Sequence, residues 1–317
     1  VATLSSAQVA NLSTAAIAAM TTDQVKVLTS AALNALTTAQ LAALETDDVA
    51  ALTTAQLVKL STSQLAKLST DQIVALDTAQ VQALSTAQVA ALTTAQLNNM
   101  ASEDLQALST AQVKALTTAQ ISNLTTDQLN LLTTQQLQAL SSVQITALTS
   151  AQLNGLTTDD LQALTTSQLA KLTTAQVAQL STDQVTQLTT AQIQSLTSAQ
   201  VAVLTSAQLN NMASEDLQAL TTSQIKALTT GQISTLSADQ VALLETADVA
   251  TLSSTQVANL STAAIAGLTS DQIKVLTSAA LNALSSSQLA AIETEDVAAL
   301  TTAQLSKLST SLLAQMS

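Results

Sequence analysis

Aliphatic residues recur along this chain with a strict period of eight. Counting from Leu4 in steps of eight, all forty positions hold Leu except five: Met20, Met100, Met212, Ile292 and Met316. Counting in the same way from Val1 to Leu313, all forty positions hold Val, Ile or Leu. The spacing between aliphatic positions therefore alternates between three and five residues, and no insertion or deletion interrupts it.

The consensus octad, L-[ST]-[ST]-A-Q-[VIL]-x-x, fits neither a long helix nor a strand. Eight residues advance an α-helix by about 800°, so the apolar pair would rotate by about 80° per octad without forming a continuous stripe. A β-solenoid needs alternation with a period of two and turn residues such as Gly, Asn or Asp, and this pattern lacks both. The octad instead predicts one short helix per repeat.

Each octad carries a start signal for such a helix. The Ser or Thr after the Leu position is a good N-cap, and the Gln three residues later completes a capping box. In the octad that follows Leu92, this predicts a cap at Thr93 and a helix over residues 94–99. Ala101 and Ala213 have no side-chain acceptor, so the helices that they begin are expected to be weaker.

Charges follow the same period. Every Asp and Glu falls at the cap or in the predicted first turn, with Glu45, Asp77, Glu245 and Glu293 at the cap itself. Every Lys falls in the predicted last turn, at Lys26, Lys59, Lys67, Lys114, Lys171, Lys226, Lys274 and Lys307. A helix macrodipole favours this segregation. Asp23 with Lys26, and Asp271 with Lys274, are predicted to pair at a spacing of three residues.

An isolated helix of six residues does not persist in water, so neighbouring octads must stack to bury their aliphatic pairs. The predicted fold is all-α, a solenoid with one short helix per octad, running as a single continuous array over residues 1–317. With three or four helices per turn, the rod would be on the order of 100 Å long. Residues 1–69 closely match 249–317, and 97–104 recur at 209–216, which indicates segmental duplication within a longer repeat protein.

Composition narrows the functions that we expect. The chain contains no Phe, Tyr, Trp, His, Cys, Pro or Arg, and its net charge is −13. An acidic chain repels nucleic acid, so we expect no nucleic-acid partner. No apolar run is long enough for membrane insertion. Because no nucleophile–base constellation or nucleotide fingerprint is present, we expect no enzyme activity and no cofactor.

Two residue sets remain candidates for binding. Acidic doublets offer oxygen ligands for a divalent cation such as Ca²⁺; they are Asp47 and Asp48, Glu103 and Asp104, Asp159 and Asp160, Glu215 and Asp216, and Glu295 and Asp296. Helix N-terminal charge already explains the doublets, so we predict no metal site there. The Ser/Thr pairs could form an ice-binding lattice, although capping explains them without further assumption. The recurring Gln could form a ladder of amides between turns.

The phrase L-T-x-x-Q-[VI]-x-x-L resembles octapeptide arrays in large, acidic, bacterial surface and secreted proteins of the adhesin type. This resemblance implies an extracellular scaffold. The run Leu116-Thr117-Thr118-Ala119-Gln120-Ile121 also looks like the opening helix of a transcription activator-like effector repeat. The second helix, the base-reading loop and the Pro of that family are missing, so DNA reading does not carry over.

The sequence thus favours a self-associating structural scaffold, such as a surface fibre, filament or adhesin stalk. A repeat module that binds a divalent cation, a mineral or a polymeric ligand is the first alternative, and ice binding is the second.

Overall fold

The computed structural model describes residues 3–314, apart from the side chains of residues 311 and 312. Thirty-nine short helices and no strand occur in this described part. The chain divides into two compact units, Val1–Leu156 and Thr157–Ser317. Each unit is a solenoid of one helix per octad, which confirms the predicted fold class.

The helices of the first unit are α1 (Ser6–Ala10), α2 (Thr14–Ala18), α3 (Thr22–Lys26), α4 (Ser30–Ala35), α5 (Thr38–Ala42), α6 (Thr46–Ala50), α7 (Thr54–Leu57), α8 (Thr62–Leu65), α9 (Thr70–Val74), α10 (Thr78–Ala83), α11 (Thr86–Ala91), α12 (Thr94–Asn98), α13 (Ser102–Ala107), α14 (Thr110–Ala115), α15 (Thr118–Asn123), α16 (Thr126–Asn130), α17 (Thr134–Ala139), α18 (Ser142–Ala147) and α19 (Ser150–Gly155).

The helices of the second unit are α20 (Thr158–Ala163), α21 (Thr166–Leu169), α22 (Thr174–Ala178), α23 (Thr182–Thr186), α24 (Thr190–Ser195), α25 (Ser198–Val201), α26 (Ser206–Asn210), α27 (Ser214–Gln218), α28 (Thr222–Ala227), α29 (Thr230–Ser234), α30 (Ala238–Ala242), α31 (Thr246–Val249), α32 (Ser254–Ala258), α33 (Thr262–Ala266), α34 (Ser270–Val275), α35 (Ser278–Asn282), α36 (Ser286–Ala290), α37 (Thr294–Ala298), α38 (Thr302–Leu305) and α39 (Thr310–Leu313).

The predicted capping box opens most of the helices, and α12 shows its geometry. Thr93 is extended, with φ −73° and ψ 157°. Its hydroxyl accepts from the Gln96 backbone N–H at 3.1 Å, and the Gln96 Oε1 accepts from the Thr93 N–H at 2.7 Å. The helix then runs over Thr94–Asn98, one residue shorter than predicted. Two orphan N–H groups of the first turn are therefore satisfied locally.

Five of the helices described above lack a capping side chain, which is three more than the sequence predicted. Ala101 and Ala213 make no cap bond, as expected, but Glu45, Glu245 and Glu293 make none either. Asp77, the shorter acid, does accept from the N–H of its N3 residue. The three glutamates thus lie at the predicted cap position without capping the helix, because the preferred cap side chains are the short ones of Ser, Thr, Asp and Asn.

The prediction for lysines was also partly wrong. Four of them lie in the last turn of a helix: Lys26, Lys114, Lys226 and Lys274. The other four lie just past the C-cap of a shorter helix: Lys59, Lys67, Lys171 and Lys307. Lys274 pairs with Asp271 at 2.9 Å, and this is the one ion pair within residues 3–314. The predicted pair of Asp23 and Lys26 does not form.

Helices pack against the third helix along the chain in both units. In the first unit, α11 contacts α8 and α14; in the second, α28 contacts α25 and α31. The Val/Ile/Leu position lies at the centre of each solenoid, as shown by Leu97 at 0% exposure. The Leu position lies slightly further out, with Leu92 at 3% exposure. These two positions form the continuous core that the eight-residue period predicted.

Candidate functional site

The recurring Gln joins successive turns of each solenoid. Gln136, at the N-terminus of α17, is 2% exposed. Its Nε2 donates to the backbone oxygens of Leu105 at 3.0 Å, Gln106 at 3.2 Å and Leu108 at 2.8 Å, which lie at the C-terminus of α13. Its Oε1 accepts from the Thr133 N–H at 2.8 Å. One amide therefore caps its own helix and the end of the helix four octads earlier.

We call this arrangement the glutamine clamp. In the first unit it is made by Gln40, Gln56, Gln64, Gln72, Gln80, Gln88, Gln96, Gln112, Gln120, Gln128, Gln136, Gln144 and Gln152. In the second unit it is made by Gln192, Gln200, Gln208, Gln224, Gln232, Gln240, Gln256, Gln272, Gln288 and Gln304.

The clamp sets the pitch of each solenoid. Most clamps reach the Leu carbonyl 28 residues earlier, as Gln136 reaches Leu108. That helix is four octads back, whereas backbone packing is closest between helices three octads apart. A turn within either unit therefore contains between three and four helices. The clamp also satisfies C-terminal carbonyls that a short helix leaves without an internal donor.

The acidic doublets divide into one exposed and one inward-facing carboxylate. The first members are exposed: Asp47, Glu103, Asp159, Glu215 and Glu295. The second members occupy the clamp position. Four of these are buried: Asp48, Asp104, Asp216 and Asp296. Asp160 is half-exposed, and Asp248, which follows Ala247, is a further buried Asp at the clamp position.

Aspartate at the clamp position reverses the direction of the link. An ionised carboxylate accepts hydrogen bonds and cannot donate to the carbonyls that a Gln amide would reach. Asp104 Oδ1 instead accepts from the Thr78 hydroxyl at 3.0 Å, and Asp216 Oδ1 accepts from the Thr190 hydroxyl at 2.8 Å. Asp296 accepts in the same way from a hydroxyl at 2.5 Å. These hydroxyls belong to the first residue of the helix three octads earlier.

Burial has a measurable consequence for three of these acids. Burial raises the pKa of Asp48, Asp104 and Asp248 above the ordinary value of 3.8. For Asp48, the neighbouring Glu45 carboxylate raises the pKa further, and the Glu45 backbone N–H lowers it. For Asp104, the hydroxyl of Thr78 acts against burial by stabilising the carboxylate. In the doublets of Asp48 and Asp104, the buried carboxylate therefore differs in its chemical environment from its exposed neighbour.

The sequence contains a signal for this arrangement, beyond the acidic doublets themselves. Each of the five helices without a capping side chain has Asp three residues after its N-cap. The cap and the clamp position therefore change together, as in Ala101 with Asp104 and Glu245 with Asp248. Asp160 is different, since Thr157 caps its helix and also donates a hydroxyl hydrogen bond to Asp160 at 2.6 Å.

The surface offers shallow polar grooves between stacked helix N-termini. One has a volume of about 580 Å³ and is lined by Gln106, Leu108, Ser109, Thr110, Thr133, Thr134, Gln135 and Gln136. Another, of about 420 Å³, is lined by Ala42, Leu44, Glu45, Thr46, Asp47, Ser69 and Gln72. Hydroxyls and amides dominate the first lining, whereas the second also includes the Glu45 and Asp47 carboxylates.

The predicted doublets do not assemble into a carboxylate cluster. Within residues 3–314, no three Asp, Glu, His or Cys side chains come together in an arrangement that could hold a metal ion. No helix in the same range is long and apolar enough to cross a membrane.

Comparison with known proteins places this array in a family. A model of the ALTTAQ repeat matches residues 1–30, 25–54, 41–78, 74–102, 98–134, 153–190, 209–244 and 241–278. The motif is read directly at residues 91–96, where Leu92 precedes the Thr93 cap and Gln96 makes a clamp. No curated protein matches the chain. Because the eight matches together cover well over half of the 317 residues, the chain belongs to the ALTTAQ repeat family.

Proposed function

We propose that this chain is a structural scaffold that associates with further copies of itself at the cell surface or outside the cell, and that it is not an enzyme. The observation that carries the proposal is the uniformity of the glutamine clamp, which repeats with the same partners through both units. Nearly all the distinctive polar contacts of the octad join it to another octad. A structural protein that has to be long and stiff needs such contacts.

Self-association is supported by residues near the two ends of the chain that lack the contacts made by their counterparts in the interior. Gln8 and Gln24 are exposed and make only the capping half of the clamp. At the other end, Leu305 and Leu313 are each 40% exposed, although the same position is almost fully buried in the interior. The two amides lack the backbone carbonyls that interior clamps reach, and the two leucines lack a covering helix. A further octad, in the same chain or in a second copy, would supply both.

Sedimentation velocity over a range of protein concentrations tests the association. We expect head-to-tail oligomers that grow with concentration, and rods or filaments by electron microscopy. Leu305→Glu should reduce association by placing a charge in the exposed apolar contact. Val143→Glu is the matched control, because Val143 is 64% exposed and lies far along the chain from the last octads. Monomers at every concentration, or equal effects of the two variants, would contradict the proposal.

The extracellular location is supported by the acidic composition and by the resemblance to adhesin-type arrays. Labelling of intact cells that express the chain, compared with permeabilised cells, tests it. Ice binding gains less support, because most of the cap hydroxyls already accept from a backbone N–H of their own helix, as Thr93 does. Divalent-cation binding is the alternative that a specific observation favours.

A further inference from the structure

One carboxylate oxygen in the first unit is buried without a hydrogen-bond partner. Asp48 is 3% exposed, and its Oδ2 accepts no hydrogen bond within the described residues. Buried carboxylate oxygens are normally paired, because an unpaired one has lost its hydration without gaining a partner. A bound cation or an ordered water would balance this oxygen.

Asp48 lacks the hydroxyl partner that other buried aspartates at the clamp position have. Asp104 and Asp216 each accept a hydroxyl hydrogen bond from the helix three octads earlier. The residue in the corresponding place for Asp48 is Thr22, and it makes no such bond. Asp48 is therefore buried as deeply as its counterparts while it lacks the donor that stabilises them.

The clamp geometry identifies which groups face this position. Clamps elsewhere reach carbonyls 31, 30 and 28 residues earlier, as Gln112 reaches Val81, Gln82 and Leu84 at 2.8 to 3.3 Å. The same offsets from Asp48 lead to the carbonyls of residues 17, 18 and 20, at the C-terminus of α2. No described side chain donates to those carbonyls. They also carry the negative end of the α2 dipole.

The Asp side chain is shorter than Gln by one carbon–carbon bond, about 1.5 Å. Its carboxylate therefore stops short of the place where a clamp amide would lie. A clamp distance lengthened by that amount would leave a gap between carboxylate and carbonyl oxygens that suits a cation with metal–oxygen distances of about 2.3–2.6 Å on each side. A second carboxylate is at hand, because Glu45 makes no cap bond and its charge acts on Asp48.

We propose that Asp48 and Glu45, with the carbonyl oxygens at the C-terminus of α2, form a site for one Ca²⁺-like divalent cation. Two carboxylates match the charge of the ion, and carboxylate and backbone oxygens are the ligands that Ca²⁺ prefers. The open groove beside Glu45 and Asp47, about 420 Å³ in volume, gives solvent access and room for coordinating waters. This proposal stands independently of the scaffold function.

Equilibrium dialysis of the whole chain against radiolabelled Ca²⁺ tests the site. We expect saturable binding of one Ca²⁺ per chain, accompanied by a rise in melting temperature. Asp48→Gln should abolish that binding while preserving the fold, because it restores the consensus clamp. Asp104→Gln is the matched control and should leave binding unchanged, since Asp104 already has a hydroxyl partner.

Two results would overturn the proposal. One is the absence of saturable Ca²⁺ binding by the unaltered chain. The other is binding that survives Asp48→Gln, which would assign it to exposed acids such as Asp47. Melting temperatures in calcium-free buffer verify that each variant is folded, and Asp48→Gln should be more stable there than the parent chain.

Discussion

Replacing Gln136 by glutamate exchanges one donor group for an acceptor and leaves the size of the side chain nearly unchanged. The Gln136 Nε2 lies between 2.8 and 3.2 Å from three backbone oxygens of α13. A carboxylate oxygen in that place would face the same oxygens without any hydrogen. The substitution therefore tests the clamp itself, with little contribution from packing.

Two estimates bound the loss of stability that Gln136→Glu should cause. Two donor hydrogens are lost from buried carbonyls, and each unsatisfied group costs about 1–3 kcal/mol. The glutamate can instead take up a proton on folding, which restores one donor. At pH 7, this costs about 4 kcal/mol for a group with an ordinary pKa near 4.3. We therefore expect Gln136→Glu to destabilise α17 against α13 by about 3–4 kcal/mol.

The pH dependence has a definite sign. The folded state raises the pKa of the introduced glutamate, so the folded state binds more protons than the unfolded state. Stability must then increase as pH falls from 7 towards about 4.3, where the unfolded glutamate also becomes protonated. Destabilisation that is large at neutral pH should shrink in mild acid.

Hydrogen exchange read by mass spectrometry is the appropriate assay, because long repeat arrays open locally and do not unfold in one step. A loss of about 3 kcal/mol corresponds to exchange on the order of 100-fold faster in peptides from α13 and α17. Gln135→Glu is the control. Gln135 is exposed in the first turn, where a negative charge is neutral or slightly favourable. Equal exchange in the two variants would refute the clamp.

Three further predictions concern other links. Gly267→Ala should destabilise the second unit, because the added Cβ would lie 2.7 Å from the Cα of Ala238. Gly231→Ala should be neutral or stabilising by up to about 1 kcal/mol, because the nearest atom to its added Cβ is 3.9 Å away. Thermal melts of the two variants compare these effects. Ala101→Ser should stabilise α13 by about 1 kcal/mol by supplying the missing cap, measurable as slower amide exchange. Asp104→Gln should stabilise the chain at neutral pH, and its advantage in melting temperature should shrink as pH falls towards 3.8, because the raised pKa of Asp104 makes the parent more stable when protonated.

Much of the fold could be predicted because its signals are local. The cap at Thr93, the capping box with Gln96 and the two aliphatic positions all lie within one octad. Local pairing also explains the success at Asp271 with Lys274. Asp23 and Lys26 have the same spacing but do not pair, and nothing in the structure explains the difference, since Asp271 and Lys274 are exposed as well.

The second half of the clamp could not be predicted in the same way. Gln136 caps its own helix through a contact three residues away, but its amide reaches carbonyls 28 to 31 residues away. Their identity depends on how many helices complete a turn, which packing decides. The inverted links of Asp104 and Asp216 depend on the same geometry. The five helices that pair an uncapped N-terminus with Asp were nevertheless visible in the sequence.

The clamp explains why segments of this array can be copied without loss of structure. Residues 97–104 recur at 209–216, a displacement of fourteen octads. Each copy, in its own unit, keeps the same link, from Thr78 to Asp104 and from Thr190 to Asp216. A link depends only on the side chains at two positions a fixed number of residues apart. Inserting or deleting whole octads leaves Gln, cap and Leu in register everywhere, whereas a shift of a single residue would replace the donor in every link that spans it. The unbroken period of eight over 317 residues is the result that this constraint requires.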